Sequence, residues 1–154
     1  MISIEDILRP GGIRLALNAE SKEEAVGQLL DLLRTDDRVT DWEALRTSVL
    51  QRDAPALEEN TCGICIAHGR TPAVKSLVMV AGRLDAGVTC PGIASPLKLV
   101  FLAAIPSAFN HEYLRVIGAI ARICHDPQTL NKLLNVKDSV KFLHLLQQAG
   151  DASS

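Results

Sequence analysis

One histidine in this chain stands where chemistry is most easily done. Residues 61–70 read Thr-Cys-Gly-Ile-Cys-Ile-Ala-His-Gly-Arg. Gly63 opens an apolar run with strand character, residues 64–67, and the run ends in His68. Gly69 offers a turn directly after it, and Arg70 sets a fixed positive charge two residues from the imidazole. A histidine at a strand end before a glycine is expected at the rim of a sheet, in a shallow exposed depression. In open α/β sheets such rims are where ligands bind. The chemistry that suits the position is phosphoryl transfer to nitrogen, because a neutral imidazole keeps a nucleophilic lone pair at pH 7. Arg52, Arg70, the Gly69 N–H and the start of a helix near residue 110 are the candidates to offset the phosphoryl charge.

Cys62 and Cys65 form a Cys-x-x-Cys, and His68 follows at the same interval. A zinc or thiol-redox site is the rival reading. Residues three apart on a strand point to opposite faces, and no second Cys-x-x-Cys completes a closed zinc site. No metal is therefore expected, and Cys65 reads as a small buried apolar residue. His125 and His144 read as helix-end and helix-surface residues.

The elements that must hold His68 follow from the apolar spacing. Ile4, Ile7 and Leu8 form a patch closed by Pro10-Gly11-Gly12. Ile13, Leu15 and Leu17 alternate with polar or small residues, as in a half-buried strand. Ser21 and Glu24 have capping-box spacing, predicting a helix to about Arg34. Thr40 and Glu43 predict a second, ending near Gln51. Residues 76–81 predict a strand stopped by Gly82, and residues 83–96 a long loop. Residues 97–105 are nearly all apolar, so a central strand covered on both faces is expected. Helices are then predicted over 110–124, from Asp126-Pro127, and from Asp138 until Gly150 ends the last. The pattern fits a single α/β domain with a mixed β-sheet flanked by helices, including an antiparallel pair around residues 71–74.

Length and composition agree with one ordinary globular domain. The chain has 154 residues, 47% hydrophobic and 22% charged, enough to bury a core. A net charge of −2 and 3% aromatics give no footprint for nucleic acid. No apolar run approaches the roughly 18 residues of a membrane helix, so no membrane insertion is expected. The acidic start lacks signal-peptide character. A cytoplasmic location is expected, with the cysteines as thiols. Neither phosphate-binding glycine motif is present, so no cofactor is expected and any phosphoryl donor is another phosphoprotein.

The chain resembles the EIIA domains of the phosphoenolpyruvate-dependent sugar phosphotransferase system, of the fructose, mannitol and nitrogen-regulatory type. The likeness covers residues 1–150, leaving 151–154 as a tail. It rests on Glu-Asp-Ile-Leu-Arg-Pro at 5–10, Ser-Lys-Glu-Glu-Ala-Val at 21–26, Arg52-Asp53 and Gly-Ile-Cys-Ile-Ala-His-Gly at 63–69. Residues 99–106 and 113–126 resemble the family's last strand and following helix. The resemblance implies that His68 accepts a phosphoryl group from HPr or a paralogue. It implies onward transfer to an EIIB domain, or use of the phosphoryl state as a regulatory signal toward a target protein. Arg52 matches the arginine that supports the phosphoryl group.

Three positions depart from the pattern. Ala67 replaces the proline before the histidine. Tyr113 stands where a second histidine is usual, and its hydroxyl could bond a phosphate or His68. His111 lies about 200° away around the same helix. Glu58, Glu59 and Asn60 replace a hydroxyl and glycine segment, with Thr61 the nearest hydroxyl. These departures keep a second reading open, a regulatory module of the same fold with little or no phosphotransfer.

Overall fold

A computed structural model describes residues 3–50, 63–89, 96–108 and 111–153, with the backbone alone at 112 and 150–153. In chain order these residues form α1 (Ile4–Ile7), β1 (Leu8–Arg14), α2 (Lys22–Leu32), α3 (Trp42–Leu50), β2 (Ile64–Thr71) and β3 (Val78–Val88). There follow β4 (Leu97–Pro106), α4 (His111–His125), α5 (Pro127–Asn135) and α6 (Ser139–Ser153).

The sheet order is β1-β3-β4-β2. β1 runs parallel to β3, β3 antiparallel to β4, and β4 parallel to β2. The expected mixed sheet is therefore present. The expected antiparallel pair around residues 71–74 is not, because β4 lies between β2 and β3. Val74 instead bridges Val39 ahead of α3.

Alternation along the strands sends side chains to two faces, and each face has its own core. Ile64, Ile66, Leu99, Phe101, Ala103 and Ile105 pack with α1, α4, α5 and α6. Cys65, Ala67, Val100, Leu102 and Ala104 pack with α2 and α3. β4 is buried at every position but Lys98, as expected of a central strand. Phe101 meets Phe142 of α6 with ring centroids 6.5 Å apart. Fully burying one such side chain stabilises by about 1.5–3 kcal/mol.

Several boundaries differ from those predicted, each for a local reason. Gly82 does not stop β3. A Cβ there would lie 2.6 Å from Leu17 Cδ2 and 3.3 Å from Leu29 Cδ2, so the glycine makes room for α2. β3 then runs on to Val88, taking in half of the predicted loop through an irregularity between Arg83 and Val88. β1 lies earlier than expected and contains Pro10-Gly11-Gly12. Leu8 pairs with Met79 and Ile13 with Ala81, so the turn-like residues bulge from the edge, where a missing N–H is tolerated.

Two caps also differ. Asp41, not Thr40, caps α3 by accepting the Ala44 N–H at 3.1 Å, while the Thr40 hydroxyl donates to Ala73 O. α6 continues through Gly150 to Ser153. The caps of α2 at Ser21 and of α5 at Asp126 are as expected, accepting from the Glu24 and Thr129 N–H groups.

Candidate functional site

β2 does not end at His68. Gly69, Arg70 and Thr71 continue the ladder, and Ile64 to Thr71 pair one for one with Leu99 to Pro106. Gly69 keeps an ordinary strand φ, so the turn begins only after Thr71. His68 shares the parity of Ile64 and Ile66 and stands on the face that α4 covers, opposite Ala103. It is 8% exposed, and its Nδ1 atom is shut off from solvent. The expected exposed histidine in a shallow depression is thus corrected. The ladder runs past the residue, and a helix packs over its face.

The carboxyl ends of the parallel pair β2 and β4 still meet here, with Thr71 opposite Pro106. α4 starts five residues after Pro106. Tyr113, in its first turn, is half-buried and packs against the cluster that holds Ile64, Ile66 and Ala103. The predicted partner of His68 is therefore on the right face. His111 is exposed, so the two α4 residues are separated as the helical angle requires.

Arg70 shares the parity of His68 one strand repeat further on, about 6.6 Å along, and is exposed. Gly69 points the other way. A Cβ on it would lie 3.6 Å from Val49 Cγ2 and 3.9 Å from the Ser48 carbonyl carbon. The last turn of α3 thus rests on the residue next to His68. Arg52 and Thr61 lie outside the described residues, as do Cys62, Cys90, Glu58 and Glu59.

Cys65 is wholly buried on the opposite face from His68, as expected for a small core residue. Among the described residues no group of three or more His, Cys, Asp or Glu could hold a metal ion. Burial pushes the Cys124 thiol up to about 12, which makes it a core group rather than a nucleophile. His125 and His144 are exposed on their helices.

Two further residues shape the site. Ala103 leaves space opposite the imidazole; the signal was two alanines inside an otherwise bulky apolar run. Gly63 has φ +78°, and a Cβ there would lie 2.5 Å from Pro96 O. Its own carbonyl accepts the Lys98 and Leu99 N–H groups, so this glycine starts the β2–β4 register that carries His68.

Residues 6–149 match the family model described as "Phosphoenolpyruvate-dependent sugar phosphotransferase system, EIIA 2". The chain belongs to this family. Among relatives of the EIIA family, it is 30% identical over 118 residues to the PTS system fructose-specific EIIA component of Haloferax volcanii, covering 76% of this chain and 77% of that protein. The fold is also that of solved EIIA structures. Nitrogen regulatory protein IIA-Ntr from Neisseria meningitidis superposes with a TM-score of 0.77 at 21% identity, covering 93% of this chain and 98% of that one. Enzyme IIA mannitol of Escherichia coli, solved in complex with phosphorylated enzyme IIB mannitol, gives a TM-score of 0.66 at 20% identity over 88% of this chain and 94% of that one.

Proposed function

We propose that this EIIA domain is a phosphocarrier that takes a phosphoryl group on Nε2 of His68 from an HPr-type carrier and gives it to an EIIB domain or holds it as a regulatory signal. The observation that supports the reading is the position of His68 in the carboxyl-terminal half of β2, opposite Ala103 of β4, on the face shared with Tyr113. With Nδ1 buried, the reading assigns the phosphoryl group to Nε2. In the neutral tautomer with the proton on Nδ1, Nε2 has the free lone pair. The carrier's bond to phosphorus breaks as the Nε2–P bond forms. Arg70 and Arg52 offset the oxyanion charge, and the first N–H groups of α4 add partial positive charge. The Tyr113 hydroxyl donates to a phosphoryl oxygen, and Gly69, Thr61 and His111 are the further candidates for support. The reaction takes place in the cytoplasm and needs no cofactor; among the described residues no helix is long and apolar enough to cross a membrane.

One observation favours a second reading, a regulatory module with slow or no phosphotransfer. At 8% exposure, His68 offers a partner little ring surface.

Incubation with phosphoenolpyruvate, enzyme I and HPr, followed by intact mass, tests both readings. The expected result is one acid-labile phosphoryl group, absent from His68→Ala. No gain of mass with any cognate carrier overturns the first reading and leaves the second.

A further inference from the structure

The chain leaves β2 through a peptide that two threonines hold from opposite sides. Thr71 is the last residue of β2 and is buried. Its Oγ1 accepts the Ala73 N–H at 3.1 Å. The Ala73 carbonyl in turn accepts the Thr40 N–H at 2.7 Å and the Thr40 hydroxyl at 3.0 Å, with the Asp41 N–H at 3.4 Å. Asp41 caps α3. The Thr40 hydroxyl is therefore not needed at the helix start, and it is committed to a residue 33 positions away.

The place of this clamp matters for the chemistry. Pro72 has no N–H, so the chain after Thr71 cannot go on donating to a ladder. β4 reaches its own last residue, Pro106, opposite Thr71. Strand ends of this kind open locally at little cost. Arg70 is the next residue inward, opposite Ile105. It keeps to the face of His68 only while the strand is intact on both sides of it. The turn beyond is anchored outside the sheet. Val74 bridges Val39, and the Lys75 N–H donates to Arg38 O. The Arg38 guanidinium donates onward to Asp6 O and Ile7 O. Within this frame the two threonine hydroxyls are the attachments that a substitution can remove while the backbone bonds stay.

We infer that Thr71 and Thr40 are positioning residues for phosphoryl transfer, holding the Ala73 peptide so that Arg70 stays on the face of His68. The inference rests on the reading of His68 as phosphoryl acceptor. Thr71 has the parity of Cys65 and Ala67, on the face away from His68. It acts through the backbone of Arg70 and not on the phosphoryl group.

The test is the initial rate of phosphoryl gain by the intact protein. It is read by timed intact mass with phosphoenolpyruvate, enzyme I and rising concentrations of its HPr-type carrier. In Thr71→Val and in Thr40→Val the rate at saturating carrier is expected to fall about fivefold, the equivalent of one hydrogen bond. The carrier concentration at half saturation should stay within about twofold. Thr71→Ser and Thr40→Ser keep the hydroxyl and should restore the rate. In an Arg70→Gln background the valine variants should slow the reaction no further, because the group they position is already gone. Thr40 is exposed, so Thr40→Val keeps the test readable where the buried Thr71→Val lowers the urea midpoint. An unchanged rate in both valine variants overturns the inference, as does a loss that persists in Arg70→Gln or that serine does not restore. If the unaltered protein gains no phosphoryl group, the reading of His68 fails and this inference with it. A normal gain in the unaltered protein with no change in the variants removes the inference alone.

Discussion

His68 and Ala103 stand opposite each other in the parallel ladder of β2 and β4, on the face that α4 covers. Ala103 is completely buried. Any larger side chain at this position would point to the same face as the imidazole from a strand about 4.8 Å away. Ala103→Leu should therefore overpack the site, costing about 1–3 kcal/mol, and should slow phosphoryl gain at His68. Urea denaturation and timed intact-mass measurements read the two effects. Unchanged stability with an unchanged rate would show that the ring does not depend on this neighbour.

Gly63→Ala should be among the most damaging single-methyl changes in the chain. The residue has φ +78°, and the new Cβ would meet Pro96 O at 2.5 Å. The backbone conformation alone costs about 1–3 kcal/mol for a non-glycine residue. Displacing Pro96 also disturbs the Lys98 and Leu99 hydrogen bonds that start the ladder. The expected outcome is a lower urea midpoint. A midpoint within error of the unaltered protein would contradict it.

Arg83 is a buried cation that serves carbonyls more than its carboxylate. Its guanidinium donates to Leu15 O, Leu133 O and Val136 O, closing the end of α5, and to the exposed Asp85. Arg83→Met should cost about 1.5–3 kcal/mol through the carbonyls left unpaired. Asp85→Asn should cost less than about 1 kcal/mol, as expected of a mostly solvated ion pair. Equal losses in the two variants would show that the ion pair is the dominant contact.

Cys124 gives a dependence on alkaline pH. Burial raises its thiol to about 12 from an ordinary 9.0, so above that ordinary value the unfolded chain loses a proton that the folded chain keeps. Stability contributed by the neutral buried thiol is complete below about pH 9 and is lost as pH rises toward about 12. Cys124→Ala should lose stability at neutral pH through its smaller side chain, yet fall less steeply across that range. Thiol-reactive disulfide reagents at pH 8 should leave Cys124 unmodified until denaturant is added. Rapid modification of the native protein would refute its burial.

Sequence patterning carried most of the architecture because most of it is local. The Ser21 and Asp126 caps, the apolar run of β4 and the mixed sheet all follow from nearby residue types and spacings. The misplaced boundaries share a different cause. Gly69 and Gly82 were expected to break strands, but both lie inside them because a helix or side chain packs close on that side. Pro10-Gly11-Gly12 resembled a terminator and became an edge bulge. Each reversal depends on contacts between residues far apart in the chain, which spacing does not reveal. The same holds at the site. The strand that carries His68 was legible, while the burial of the residue depended on Gly69 and Arg70 remaining in the ladder with β4.

The strand order carries a consequence for how this protein comes to exist. Among the described residues β2 pairs only with β4, which begins 33 residues after β2 begins. Until the ribosome has released the residues up to about Pro106, the segment that holds His68 has no strand to align against. Closing that long loop is an entropic cost borne before any contact rewards it. The histidine therefore gains its surroundings late in synthesis, and a chain cut short before β4 would carry the residue without the site.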